Sequence, residues 1–369
     1  MTVVAGAGMA GLVTAARLRE LGRPATLLEK GDRPGGSMLL SSGVVWRHRT
    51  FKLFREEGPD GREELQRLIF DRLDGALDWL ERIAVSAVER ETGNPRTVGR
   101  RFEPRALTEA LVRAAGGVEL SRPLADVPED EPVVLATGGF ARLVAPENCV
   151  IRAAPWSGGG DGFVFAVRKG AAFYASRDEL YARALPGPPA RVGEEDFVRA
   201  AQLYGRFALA LGETGRPILE DTEISWHESE LVERLVWGGG TGWYVVDADA
   251  LEQRVRERTV AEMVAVAEEL GAEIRRSDTL AGLDLGQLCS PKLARPPYTA
   301  VRIVAGVTHT IGGLLVDAEA RVLRWDETPI DGLFVAGVDA GLVASGGYAS
   351  GLAQALVLGL AAAESIAAG

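Results

Sequence analysis

The chain opens on a short apolar run, Thr2–Ala5, of the length and character of a buried strand. A glycine turn follows. Apolar and polar positions then recur with helical spacing as far as about Leu21, and Gly22 is placed to end that helix. Ala25–Leu28 is a second short apolar run, closed by Glu29. Further on, Arg62–Glu89 reads as a helix, with leucines around Leu65–Leu80 spaced to bury one face. Residues 253–270 read as another, with Val255, Val260, Met263, Val264, Val266 and Ala267 on its apolar side. The C-terminal run Gly351–Gly369 is the most apolar stretch. Gln354, Glu364 and Ser365 interrupt it, so it is expected to fall short of a membrane span.

Composition narrows the picture. With 369 residues, 47% of them hydrophobic, the chain can bury a large core and suits about two domains. The 45 glycines and 18 prolines form no repeat, which points to a loop-rich α/β protein. A net charge of −11 argues against a general nucleic-acid binder, which needs a basic face. Cys149 and Cys289 form no CxxC, and His48, His227 and His309 are dispersed, so neither a disulfide framework nor a metal site is expected. Met1–Ala5 enters the glycine turn with no basic n-region and no small-residue cleavage site, so the expected location is cytoplasmic, without membrane insertion.

The turn itself is Gly6-Ala7-Gly8-Met9-Ala10-Gly11. Gly6 permits the tight strand-to-helix turn, Gly8 removes a side chain where backbone must approach a pyrophosphate, and Gly11 lets helix and strand pack closely. The free N–H groups and dipole at the helix start favour phosphate oxygens. Glu29, eighteen residues after Gly11, is placed to accept hydrogen bonds from ribose hydroxyls. Strand, turn, helix, second strand and acid together predict dinucleotide binding. The acid disfavours a 2′-phosphate and leaves NAD and FAD open.

Five further segments separate those two. They are Pro34-Gly35-Gly36-Ser37 after the ribose acid, Val133–Phe140, Gly160-Asp161-Gly162-Phe163 with Gly170-Ala171, Thr308–Gly313, and Gly332–Gly341 followed by Gly346-Gly347-Tyr348-Ala349-Ser350-Gly351. In this order they resemble the FAD-dependent oxidoreductases that include fumarate reductase, succinate dehydrogenase flavoprotein and 3-ketosteroid dehydrogenase. The resemblance covers about the first 50 and the last 70 residues, with islands near 135 and 160. It implies an α/β fold: a Rossmann-like FAD-binding domain in two sequence pieces, 1–173 and 296–369, with a smaller α+β capping domain, 174–295, inserted between them. Pro186–Pro189 and Arg295–Tyr298 mark the borders, and Gly212–Pro217 resembles a hairpin of the family's cap. The implied cofactor contacts are Gly6, Gly8, Met9, Ala10, Gly11, Glu29, Lys30, Gly35, Gly36, Ser37, Ser42, Gly43, Ala136, Thr137, Gly138, Asp161, His309, Gly337, Asp339, Ser350, Gly351 and Leu352. Met38 stands near the place of the flavin-linking histidine of succinate dehydrogenase, so FAD is expected to be non-covalent.

The departures concern substrate. Thr308 stands where the fumarate enzymes carry a substrate-binding histidine, Tyr348 stands where they carry an arginine, and Asp221–Glu228 contains no arginine in the place of their proton donor. Bidentate carboxylate binding is an arginine speciality, so a small dicarboxylate is not the expected substrate. Tyr348, His227 and His309 are the candidates for proton transfer beside a flavin-mediated hydride step. A small-molecule substrate and an electron acceptor are the expected partners. A flavin-assisted isomerisation without net redox, or a flavin-binding protein without catalysis, stays open on the sequence.

Overall fold

The computed structural model describes residues 2–126, 131–174, 179–219 and 224–369. The chain forms two compact units. The first holds 1–143, 153–179 and 309–369; the second holds 144–152 and 180–308. The sequence borders at 173/174 and 295/296 therefore lie against unit borders at 179/180 and 308/309, and 144–152 join the second unit as well. Pairing accounts for 144–152. Val150–Ile151 runs parallel to Gly306–Val307, a partner more than 150 residues away with no local signature.

The first unit is built on a five-stranded sheet in the order Arg321–Leu323, Pro329–Val335, Val133–Leu135, Val3–Ala5, Thr26–Leu28. The last four are mutually parallel, and Arg321–Leu323 is antiparallel at the edge. Strands covered on both faces read as continuous apolar runs, and Val3–Ala5 and Val133–Leu135 are buried throughout. The helix Met9–Glu20 packs against the C-terminal helix Gly351–Ala368, which also packs on the helix Glu63–Ile83.

Two helices end where the periodicity alone did not place them. Glu63–Ile83 stops before the expected Glu89 because the chain turns away to pair: Val88 donates to the Arg101 carbonyl and Arg101 to that of Glu89, each at 2.8 Å. The helix expected from 253 begins at Val260, since Arg254–Val255 pairs back on Arg258–Thr259. Thr259 and Glu262 then close a reciprocal capping box. Gly351–Ala368 is 18 residues long with a mean hydropathy of 1.5, long and apolar enough to cross a membrane on those measures, contrary to the sequence expectation. It is 61% buried within the protein, and that burial accounts for its apolar character.

The second unit is organised on Tyr298–Thr310, which pairs with Ile274–Ser277 and Thr241–Val246, the latter pairing onward with Leu209–Gly212. Leu209, Leu211, Trp243, Val245, Leu283, Leu293, Tyr298 and Ala300 form one core cluster, so Tyr298 is a core residue.

Glu20 ends the first helix and binds Trp79 and Arg82 of the helix Glu63–Ile83, as well as Arg17. Burial raises its pKa, but hydrogen bonds from Trp79, Arg17 and Arg82 prevail and hold it at about 2, against 4.5 ordinarily. A depressed carboxylate stabilises the fold above its unfolded pKa, and the contribution disappears as pH falls through the folded value. Glu20→Gln is expected to lower the melting temperature at pH 7, with the difference from wild type shrinking as pH falls from about 4.5 toward 2. A pH series of thermal melts checks this.

Candidate functional site

Gly6 leaves the first strand at φ +104°, and a Cβ there would overlap the Ala136 carbonyl. A Cβ on Gly11 would overlap the Gly6 carbonyl, so only glycine lets the helix sit on the turn. Gly8 is the N-cap of Met9–Glu20, and no side chain caps that helix. The first N–H groups, from Met9, Ala10 and Gly11, have no carbonyl one turn back within the helix. A Cβ on Gly8 would meet nothing within 4 Å, so the backbone is open on that side. Gly35 donates to the Ala7 carbonyl at 2.8 Å, folding the Gly35-Gly36-Ser37 loop onto the same turn.

Glu29 is buried, and its carboxylate is aimed rather than loose. Oε2 accepts from the Ala7 N–H at 2.9 Å and Oε1 from the Gly31 N–H at 2.8 Å. Each oxygen retains a second lone pair for a hydroxyl donor. Lys30 and Asp161, both expected at the cofactor, are paired with each other at 2.8 Å near the surface. Ser42 and Gly43 lie in the turn entering the strand Val44–His48, and Gly43 accepts from Phe102 at 3.0 Å.

The ends of Val133–Leu135 and Pro329–Val335 are joined by Asp339. Its carboxylate accepts from the N–H groups of Thr137, Gly138 (3.2 Å) and Gly139 (3.0 Å) and from the Thr137 hydroxyl (3.0 Å). Burial pushes the Asp339 pKa up, and the hydrogen bonds from Gly139, Thr137 and Gly138 oppose that rise. Asp339 and Thr137, read from sequence as cofactor contacts, here shape the turn that contains Gly138. Thr137 Oγ1 also accepts from Gly162 at 3.0 Å, fixing the start of the helix Asp161–Arg168.

At the other end of the sheet-to-helix path, Ser350 caps the C-terminal helix by accepting from Ala353 at 3.3 Å. Gly351 and Leu352 begin that helix. The His309 ring lies against it, its Cε1 3.2 Å from where a Gly351 Cβ would stand. Gln354, on the first helical turn, donates to the carbonyls of Gly337 (2.9 Å) and Ala340 (2.8 Å). It was not among the sequence candidates. Its one signal is a polar residue inside an apolar run. Tyr348 is half-buried, with its ring 5.2 Å from that of Trp46.

His227 lies in the second unit; of the segment Asp221–Glu228 read from sequence, 221–223 lie outside the described residues. Ser229 donates its N–H to His227 Nδ1 at 3.2 Å. Ser225 Oγ stands 3.1 Å from the same nitrogen and binds Glu230 at 2.8 Å, and Arg183 donates to the His227 carbonyl. Among the described residues no cluster of metal-ligating side chains occurs.

The first unit thus presents two uncapped or glycine-opened helix starts and a fixed acid at the end of the second strand. That is a dinucleotide-cofactor fold. The comparisons agree. The family model described as an FAD binding domain matches residues 55–352, and an NAD(P)-binding Rossmann-like domain matches 4–46. The chain belongs to the FAD binding domain family: it is an FAD-dependent oxidoreductase. It is 22% identical to "Probable fumarate reductase Ifc3" of Shewanella frigidimarina, over 91% of this chain and 69% of that protein. Over a shorter stretch, 33% of this chain and 22% of the relative, it is 33% identical to the 4-oxocyclohex-2-ene-1-carboxylate 5-dehydrogenase of Sinomonas cyclohexanicum. The fold is shared with the 3-ketosteroid Δ1-dehydrogenase of Sterolibacterium denitrificans, at TM-score 0.73 and 17% identity, covering 100% of this chain and 99% of that one. It is also shared with the open conformation of a flavocytochrome c3 fumarate reductase, at TM-score 0.71 and 19% identity, covering 100% and 78%.

The open side of Gly8 and the fixed Glu29 carboxylate fit FAD. Glu29→Ala is expected to raise the FAD dissociation constant by about tenfold or more, since a charge-assisted hydrogen bond contributes about 1.5–3 kcal/mol. Fluorescence titration of the apoprotein with FAD measures it.

Proposed function

We propose that the protein transfers a hydride between a ketone-bearing carbon substrate and FAD, and that Tyr348 handles the accompanying proton. FAD supplies reversible two-electron chemistry at flavin N5 that side chains lack. The protein binds it non-covalently through the backbone at Gly6, Gly8–Gly11 and Gly35–Ser37, the Glu29 carboxylate, and the start of the C-terminal helix at Ser350–Leu352. The dipole of that helix start favours negative charge nearby.

The observation that carries the reading is the placement of Tyr348, two residues before the Ser350 cap. A phenol there can donate a hydrogen bond to a carbonyl oxygen or accept a proton. The nearest strand supports a ketone over a dicarboxylate. Trp46 and His48 face Tyr348, while Arg47, on the opposite side of the pleat, is engaged with Asp74 at 2.7 Å and lies over Phe70. Arg47 is therefore not the fork that two carboxylates would need. Two of the similar proteins are described as dehydrogenases of cyclic ketones, which supports the same class. His309, against Gly351, is assigned to the flavin end of the site. His227 is the second candidate for proton transfer. A separate electron acceptor and a cytoplasmic location complete the reading.

Anaerobic mixing of the FAD-loaded protein with saturated cyclic ketones and, separately, with succinate tests this. Bleaching of the flavin by a ketone but not by succinate is expected, with Tyr348→Phe slowing it by about 10²-fold or more. Bleaching by succinate, or an unchanged rate in Tyr348→Phe, would contradict the reading.

A further inference from the structure

Tyr348 sits in a segment held from several sides. Arg62 N–H binds the Leu342 carbonyl at 2.7 Å, Gln66 Nε2 that of Val343 at 2.8 Å, and Asp60 N–H that of Ser345 at 3.2 Å. The Glu179 carboxylate accepts from the Ser345 hydroxyl at 3.0 Å and the Gly346 N–H at 3.1 Å. A Cβ on Gly347 would overlap the Glu57 carbonyl, so the segment runs in contact with that chain.

At Tyr348 itself both backbone polar groups are engaged. Its N–H donates to the Glu57 carbonyl at 3.2 Å, and its carbonyl lies 3.1 Å from His48 Nε2. A carbonyl only accepts, so the His48 proton is on Nε2. His48 is wholly buried on the strand Val44–His48, its ring packed by Trp46 (5.2 Å) and Phe54 (5.1 Å). The Trp46 N–H approaches Ser350 Oγ at 3.5 Å. One short strand therefore grips the segment on both sides of Ala349 and packs the tyrosine ring with Trp46.

We propose that His48 is a positioning residue for Tyr348. The Nε2–H donor fixes the Tyr348 carbonyl, and with Trp46 packed on the ring this sets where the phenol points. The inference rests on the reading of Tyr348 as the proton-transfer group. A histidine suits the role because its donor is directional and its neutral ring can be buried among aromatics. Glutamine places its own Nε2 donor at similar reach. Phenylalanine keeps a ring in the same packing and removes the donor.

The chain has six tyrosines and three histidines, few enough for NMR. With 3-fluorotyrosine incorporated in the FAD-loaded protein, the Tyr348 signal is assigned by Tyr348→Phe. His48→Phe is expected to shift or broaden that signal and leave the others in place, while His48→Gln keeps it near the wild-type position. His48→Phe is further expected to lower kcat on the order of tenfold to a hundredfold with the FAD dissociation constant unchanged, and His48→Gln to restore most of it. A Tyr348 signal indifferent to His48→Phe overturns the proposal. If that variant does not fold, ¹⁵N shifts of the wild-type imidazoles decide: His48 protonated on Nε2 supports the proposal, and on Nδ1 overturns it. A signal that moves in His48→Phe while Tyr348→Phe turns over normally upholds the positioning and refutes the catalytic reading of Tyr348.

Discussion

The first unit depends on bringing strand ends from distant parts of the chain to one edge, and a single carboxylate does much of that. Asp339 lies about 200 residues beyond the turn it holds, yet three N–H groups and a hydroxyl of Thr137–Gly139 converge on it. Of these donors the Gly139 N–H is buried, and leaving it without an acceptor would cost about 1–3 kcal/mol. The same tie fixes Gly138, orders Gly162 through Thr137, and sets the end of the strand that leads through Gly337 to the C-terminal helix. Gln354 completes it from the helix side by binding the Gly337 and Ala340 carbonyls. The helix start after Ser350 is in this sense tied to that polar network, while the one after Gly8 is shaped by its own glycines and by Glu29.

How much of this was legible follows from where the information lies. The glycine turn and its acid were readable as structure because a tight strand-to-helix turn demands glycine at fixed spacing and the acid follows the second strand; all of it falls within 29 residues. Helix ends were less so. The stop at Ile83 is imposed by Val88 pairing with Arg101, and the start at Val260 by a two-residue hairpin. Residues 144–152 gave no sign of joining the second unit, because their partners are near 306. In the sequence Trp46 drew no reading, and His48 only that of one among three dispersed histidines. Their role appears only through contacts three hundred residues downstream.

The C-terminal helix shows the same lesson in reverse. Its composition passes a length and hydropathy test for a membrane span, yet its apolar surface is consumed by packing on Met9–Glu20 and Glu63–Ile83. Two of the three interruptions noted in sequence serve that packing. Gln354 binds strand-end carbonyls, and Glu364 binds Arg17 and Arg72. A polar residue within an apolar run is thus a better pointer to a buried network than to a broken span.

The central claim is that these two helix starts and Glu29 hold one FAD without a covalent link. The most direct test is the visible spectrum of the purified protein, repeated on the supernatant after acid precipitation. Bands near ~375 and ~450 nm that pass wholly into the supernatant, with the released compound identified as FAD, are the predicted result. A flavin that stays with the precipitate would contradict non-covalent binding, and a colourless protein that takes up no added FAD would contradict the account as a whole.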